Sequence, residues 1–234
     1  MSERTRAGAD LGPLPPVEVG AESCSAEFRA DELLLRAGRP AARVTVLADR
    51  AVSAGVGVRP GAAFLERAAA DGLPVVRRTS GGSGVLHEPG DLAWSLVLPR
   101  AHAAVGAGFV RGYARLGAGV VRFLGRRGLA ASWTPPPNLS PDCCVLSGRG
   151  EVLSVDARIV GGAAQHLSAV ALLHQGMVSS TVDRPRVARL FGIADPSAVA
   201  RLVGLDDLGV RDPPERLARE LADALEAGFS PNAR

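Results

Sequence analysis

A chain of 234 residues, 47% of them hydrophobic and 22% charged, with a formal net charge of +3, is long enough to bury a sizeable core. Its basic residues are scattered, which gives no charge-based case for nucleic-acid binding, and no apolar run approaches the ~20 residues that a bilayer-spanning helix needs. Three cysteines, two of them adjacent, supply neither a disulfide framework nor zinc-ligand spacing, so no metal is expected. All 27 basic residues are arginine, because the chain contains no lysine.

Residues 1–20, rich in Pro and Gly and lacking an apolar signal segment, are expected to form a mobile leader, and the protein is expected to be cytoplasmic. Residues 21–234 are expected to form one domain. Ser25 is a candidate N-cap for a helix through about Ala37 that buries Phe28, Leu33 and Leu35 or their neighbours, with Gly38 closing it. Arg43 to Leu47 alternates like a strand, followed by an apolar, Gly-containing piece from Val52 to Gly57. Pro60 to Asp71 is predicted helical, with Pro in its first turn and Gly72 at its end. Strands around Val76, Val85 and Ala93 suggest a mostly antiparallel sheet. A helix from His102 to about Arg127 follows, weakened by five glycines that each cost about 1 kcal/mol relative to Ala unless they permit close packing. After Pro135-Pro136-Pro137 comes a strand-rich region, Cys143 to Val178. The tail from Pro213 to Phe229 carries Leu217, Leu221 and Leu225 at helical spacing. No internal repeat interrupts the order. The pattern indicates an α+β fold, a mostly antiparallel curved sheet flanked by helices.

Two stretches carry the chemistry. In V-R-R-T-S-G-G-S-G-V-L-H-E-P-G-D, from Val76 to Asp91, missing Cβ atoms let backbone N–H groups approach a ligand, and Arg77 and Arg78 can grip a carboxylate or phosphate. The alternative is a hairpin whose glycines serve turn geometry and whose arginines are solvated. The second stretch, Arg158-Ile159-Val160-Gly161-Gly162-Ala163-Ala164-Gln165, is followed by a strand ending His174-Gln175-Gly176. Its glycine pair allows close approach between strand and ligand.

Together these stretches resemble the lipoate-protein ligase and octanoyltransferase superfamily, related to the biotin ligases, over about Ala26 to Leu190. The resemblance implies a lipoate ligase-like catalytic domain. It implies that Arg78, Ser80, Gly81, Gly82 and His87 shape an acyl tunnel and, in the ligases, an adenylate site, with Gly161, Gly162 and Ala163 beside it. Arg158 falls where the family has a lysine that contacts the acyl carbonyl and assists transfer. Ser83 stands where a third glycine is usual, and Gln165 lies one place late.

Arginine keeps its charge at any working pH, so Arg158 can stabilise an oxyanion but is a poor general acid or base. A surface strand arginine is the alternative. Some octanoyltransferases that the chain resembles hold the acyl group on a loop cysteine, and Cys143, fifteen residues before Arg158, is similarly placed, with Cys144 beside it. Both could equally be small buried hydrophobes. Cys24 is expected to be structural, His174 a core residue, and His102 and His166 exposed. About forty residues follow Gly192, which resembles a transferase without an accessory domain.

The favoured expectation is an acyltransferase that takes a preactivated acyl group, octanoyl or lipoyl on a carrier protein, and passes it to an amine or thiol, with an acyl-carrier or lipoyl-domain protein as partner and no cofactor. ATP-dependent ligation, with Mg, is the runner-up. The superfamily core is also similar to that of class II aminoacyl-tRNA synthetases. A repurposed aminoacyl or small-acyl transferase, drawing on a donor such as charged tRNA, therefore stays open. So does a non-catalytic acyl-binding protein.

Overall fold

The computed structural model describes residues 14–105, 115–134 and 151–229. Ten strands and six α-helices carry the described chain: β1 (Val17–Glu22), α1 (Cys24–Ala37), β2 (Ala41–Leu47), β3 (Ala51–Ala54), α2 (Ala62–Ala70), β4 (Val75–Arg77), β5 (Gly84–His87), β6 (Leu92–Pro99), α3 (Ala118–Gly125), β7 (Ala131–Thr134), β8 (Glu151–Val155), β9 (Arg158–Leu167), β10 (Ala171–Val178), α4 (Arg184–Phe191), α5 (Pro196–Ala200) and α6 (Pro214–Phe229). The fold is α+β, as its composition of elements suggested. A seven-stranded sheet runs β1-β2-β6-β10-β9-β8-β7, antiparallel except for the β1/β2 pair, and a separate three-stranded sheet runs β4-β3-β5.

The strands expected around Val76, Val85 and Ala93 therefore divide between two sheets. His87 pairs with Ala51 in the small sheet, whereas five residues later Leu92 pairs with Val46 in the large one. The turn between them is held by Asp91, whose carboxylate accepts from the Glu88 and Ser180 backbone N–H groups at 2.9 and 2.7 Å. Part of the segment expected to be a mobile leader is strand: Val17 to Glu22 pair in register with Ala42 to Leu47.

Alternation along β6 sends Leu92, Trp94, Leu96 and Leu98 to one face of the large sheet, where α3 and α6 cover them. Gly119 makes that helix pair possible, because a Cβ there would lie 2.7 Å from the Leu225 Cα. Of the helix expected from His102 to Arg127, the described residues Arg115, Leu116 and Ala118–Gly125 are helical, whereas Pro99 to Val105 closes in turns instead. The glycines thus serve both contacts: Gly119 lets the two helices touch, and Gly117 lets the chain close on the sheet, since a Cβ there would lie 2.4 Å from the Trp133 Nε1 on β7.

The opposite face carries α1 and the small sheet. Ser23, two residues earlier than the expected Ser25, caps α1 by accepting from the Ala26 N–H at 3.2 Å, and Gly38 closes the helix in the left-handed conformation. The buried stripe runs Cys24, Glu27, Phe28, Asp31 and Leu35. Leu33 falls outside it, 51% exposed, because it lies two positions from Asp31 and Leu35 and so on the far side of the helix.

Two acids thus point inward. Arg43 on β2 reaches Glu27 at 2.9 Å and Asp31 at 3.2 Å, while Thr45 and Ser95 donate to the same two carboxylates at 2.7 Å. Burial, with the Glu27 charge beside it, pushes the Asp31 carboxyl up to about 7. A raised carboxyl binds its proton in the native chain before the unfolded one does, so its ionisation opposes folding increasingly from about pH 4 to about pH 7. Asp31→Asn keeps the acceptor and removes the titration. Its stability relative to the parent is expected to rise with pH across that window, by up to about 1.4 kcal/mol per pH unit, measured by urea unfolding at several pH values. A flat difference would show that Asp31 titrates normally.

Candidate functional site

A cavity of about 110 Å3 opens between the small sheet, the face of the large sheet opposite α3 and α6, and α4. Its walls are mainly apolar: Phe28 from α1, Val85 and Leu86 from β5, Ile159 from β9, Met177 from β10 and Phe191 from α4. Its polar lining includes Ser53, Arg78, Ser80, His87 and Gln175, with the carboxylate residues Glu88 and Asp183 also on the wall. Such a container suits a chain of methylenes with one polar end.

The glycine loop reaches the cavity because Gly55 lets it dock. A Cβ on Gly55 would lie 2.0 Å from the Gly82 carbonyl oxygen, and the Val56 and Gly55 N–H groups bind the carbonyls of Ser80 and Ser83. Arg78 then stitches the loop from inside. Its guanidinium donates to the Ser53 carbonyl and hydroxyl at 3.2 and 2.8 Å, and to the Gly81 and Ser83 carbonyls at 2.9 Å each. Arg77 likewise donates to the Val56 and Val58 carbonyls. Arg78 thus holds the loop's own backbone and Arg77 the segment that follows β3, and Arg78 adds a buried positive charge to the cavity wall.

His87, at the end of β5, lies fully inside. Its Nε2 is 2.8 Å from the Ser53 hydroxyl, its ring packs on Phe28 with centroids 5.6 Å apart, and its Nδ1 has no partner among the described residues. Burial, reinforced by the Arg78 charge, holds the ring at about 3, so it is neutral at working pH. The Ser80 hydroxyl and the Gln175 Oε1 are also buried without a partner. Unsatisfied buried groups cost about 1–3 kcal/mol each, and their concentration along one apolar cavity marks it as the place where a ligand supplies the missing partners.

Gly161, Gly162, Ala163 and Ala164 form the opposite wall. At Gly161 the missing side chain serves the sheet and not a ligand: a Cβ would lie 2.1 Å from the Met177 carbonyl oxygen across β10. Gly176 is constrained in the same way, by the Gly162 carbonyl and the Trp94 ring.

Residues 28–208 match the family model for the lipoyl protein ligase A/B catalytic domain. The chain belongs to that family. Solved structures agree on the fold. Lipoate-protein ligase A bound with ATP is 20% identical, with 92% of this chain and 84% of that chain covered at a TM-score of 0.69. The bipartite lipoate protein ligase of Thermoplasma acidophilum, described with its E2 lipoyl domain, is 19% identical over 93% and 83% at 0.68. LipL1 of P. falciparum in complex with lipoate is 14% identical over 93% and 59% at 0.63. Among curated proteins, none matches the chain.

Within this lipoyl ligase-type domain the motif residues separate. Arg78, Ser80, Gly82, His87, Gly161, Gly162 and Ala163 line the cavity, whereas Gly81 and Ser83 contribute carbonyls to Arg78 from behind the wall. Arg158 is not among the lining residues. The pairing of β8 with β9 goes from Leu153↔Gly161 directly to Ser154↔Ile159, so Val160 is an extra, bulged residue. The bulge reverses the alternation. Ile159 turns to the cavity and Arg158 to the other side, where its side chain is 41% exposed and 3.7 Å from Asp156. The register is pinned from outside the hairpin, since the Ile159 N–H and carbonyl bond Arg201 and Val203.

Cys143 and Cys144 lie outside the described residues. Cys24 is buried, and that burial together with Asp49 pushes its thiol up, away from the reactive thiolate. His174 is a core residue packed edge-on against Trp94 with centroids 4.9 Å apart. Sequence reasoning missed Ser53. The available signal was a lone hydroxyl in the apolar run Ala51-Val52-Ser53-Ala54, a strand buried at every position. No helix among the described residues is long and apolar enough to cross a membrane.

Proposed function

We propose that the domain transfers a preactivated medium-chain acyl group, of octanoyl or lipoyl type, from a carrier protein to a lipoyl-domain protein, with Cys143 as the intermediate acceptor. The observation that carries this reading is the apolar cavity whose polar lining combines a buried Arg78 with a neutral His87. A linear acyl chain fills the walls, and its carbonyl meets the polar groups. With no lysine anywhere in the chain and the Cys24 thiol suppressed, a nucleophile that carries the acyl group has to be sought at Cys143 or its neighbour Cys144. The Cys143 thiolate attacks the carrier thioester, forming a new C–S bond as the carrier thiolate leaves. The acceptor amine then forms the C–N bond, losing a proton as the Cys143 thiolate departs. The Thermoplasma relative described with its E2 lipoyl domain supports a lipoyl-domain acceptor.

Incubation with octanoyl carrier protein, followed by intact-mass and peptide analysis, is expected to show one octanoyl adduct that Cys143→Ala abolishes and Arg158→Ala retains. Lipoyl-domain octanoylation should follow the adduct in time. Product formed only from free octanoate and ATP, without an adduct, would select ligation instead. Uptake of an aminoacyl group from charged tRNA would select the repurposed transferase, and saturable binding without turnover the acyl-binding protein.

A further inference from the structure

The contacts among Arg78, Ser53 and His87 have a direction. Arg78 donates to the Ser53 hydroxyl oxygen at 2.8 Å, and a guanidinium has no lone pair with which to accept in return. Ser53 is fully buried, and its hydroxyl proton has one acceptor among the described residues, the His87 Nε2 at 2.8 Å. Turning the contact around, so that Nε2–H donates to Ser53, would leave both the serine proton and the Nδ1 lone pair buried without partners. The Ser53-to-His87 direction leaves only Nδ1–H unsatisfied, and the adjacent guanidinium polarises the serine O–H toward giving its proton. A neutral imidazole with Nε2 accepting carries its hydrogen on Nδ1.

We propose that Ser53 is a positioning residue that fixes His87 in the Nδ1–H tautomer, so that His87 donates a hydrogen bond to the carbonyl oxygen of the bound acyl group. The proposal rests on the acyl reading of the cavity. It gives the polarising contact to a group on the cavity wall, whereas Arg158 projects from the other side of β9. His87 is then a fixed donor and does not serve as the base. The Ser80 hydroxyl, also buried without a partner, lines the same cavity.

Two measurements test the proposal separately from the acyl reading. Nitrogen-15 NMR of the ring in the ligand-free full chain is expected to report protonated Nδ1 and bare Nε2, with the preference lost in Ser53→Ala. Calorimetric titration with octanamide, an uncharged acyl probe, tests the donor. Asparagine places its amide nitrogen near the position of Nδ1 and glutamine near that of Nε2. Affinity should therefore stay within about threefold in His87→Asn and fall about tenfold or more in His87→Gln and Ser53→Ala. A ring protonated on Nε2, or glutamine outperforming asparagine, would overturn the assignment even if octanamide binds. An Nδ1–H ring in a chain that shows no saturable octanamide binding would overturn the donor role by removing the acyl reading, while leaving the serine–histidine contact as found.

Discussion

Arg43→Ala is expected to destabilise the native chain by about 3–5 kcal/mol, the usual cost of leaving buried charge without its partner. Arg43 is the cation that compensates Glu27 and Asp31, and all three are buried between α1 and the large sheet. Thr45 and Ser95 would still donate to the two carboxylates, but hydroxyl donors do not replace a full charge. Denaturant unfolding, followed through the buried Trp94, measures the loss. Adding Glu27→Gln and Asp31→Asn to Arg43→Ala removes the stranded charges and should recover a substantial part of it. Such recovery would separate an electrostatic cause from the loss of arginine packing. A loss below about 1 kcal/mol in the single variant would mean that water or protonation compensates the acids. The consequence for function is mechanical. Phe28, on the same face of α1, packs on His87, so a loosened helix reaches the cavity.

The second large effect is expected at Gly55. Placing a methyl group 2.0 Å from the Gly82 carbonyl oxygen and 2.8 Å from that of Gly81 forces backbone to move, since no flexible side chain can yield. The loop that must shift is the one Arg78 holds through the Gly81 and Ser83 carbonyls. Gly55→Ala should cost about 1–3 kcal/mol of stability as overpacking and should lower octanamide affinity and acyl transfer by about tenfold or more. Gly57→Ala is the matched control. Nothing lies within 4 Å of a Cβ there and its backbone is not left-handed, so binding and transfer should be unchanged within error. Equal behaviour of the two variants would show that the loop has room the structure does not suggest.

Much of the fold was legible in local pattern. The Gly38 end of α1 and the leucine stripe of α6 rest on spacing and on glycine at a helix end, and those signals need no partner. Leu33 shows the limit. A helix that buries Glu27 and Asp31 places its stripe where hydropathy alone would not, because the pairing cation comes from a strand elsewhere in the chain. The candidate site divides in the same way. The glycine-and-arginine stretch marked the right place, yet its arginines spend donors on backbone carbonyls, Arg78 on those of the loop and Arg77 on those of the segment after β3, a use that composition cannot distinguish from gripping an anion.

The sequence by itself determined the family, the α+β class, the whereabouts of the pocket and the absence of any lysine to act within it. Those are properties of residue identity and short-range order. Tertiary structure alone decided that the strands divide into two sheets, that Ser53 stands beside His87, and that position 158 projects away from the cavity. A strand's facing has a period of two, so a single bulged residue reverses it. That bulge at Val160 is fixed by hydrogen bonds from Ile159 to Arg201 and Val203, about forty residues away along the chain, where no local pattern could have announced it.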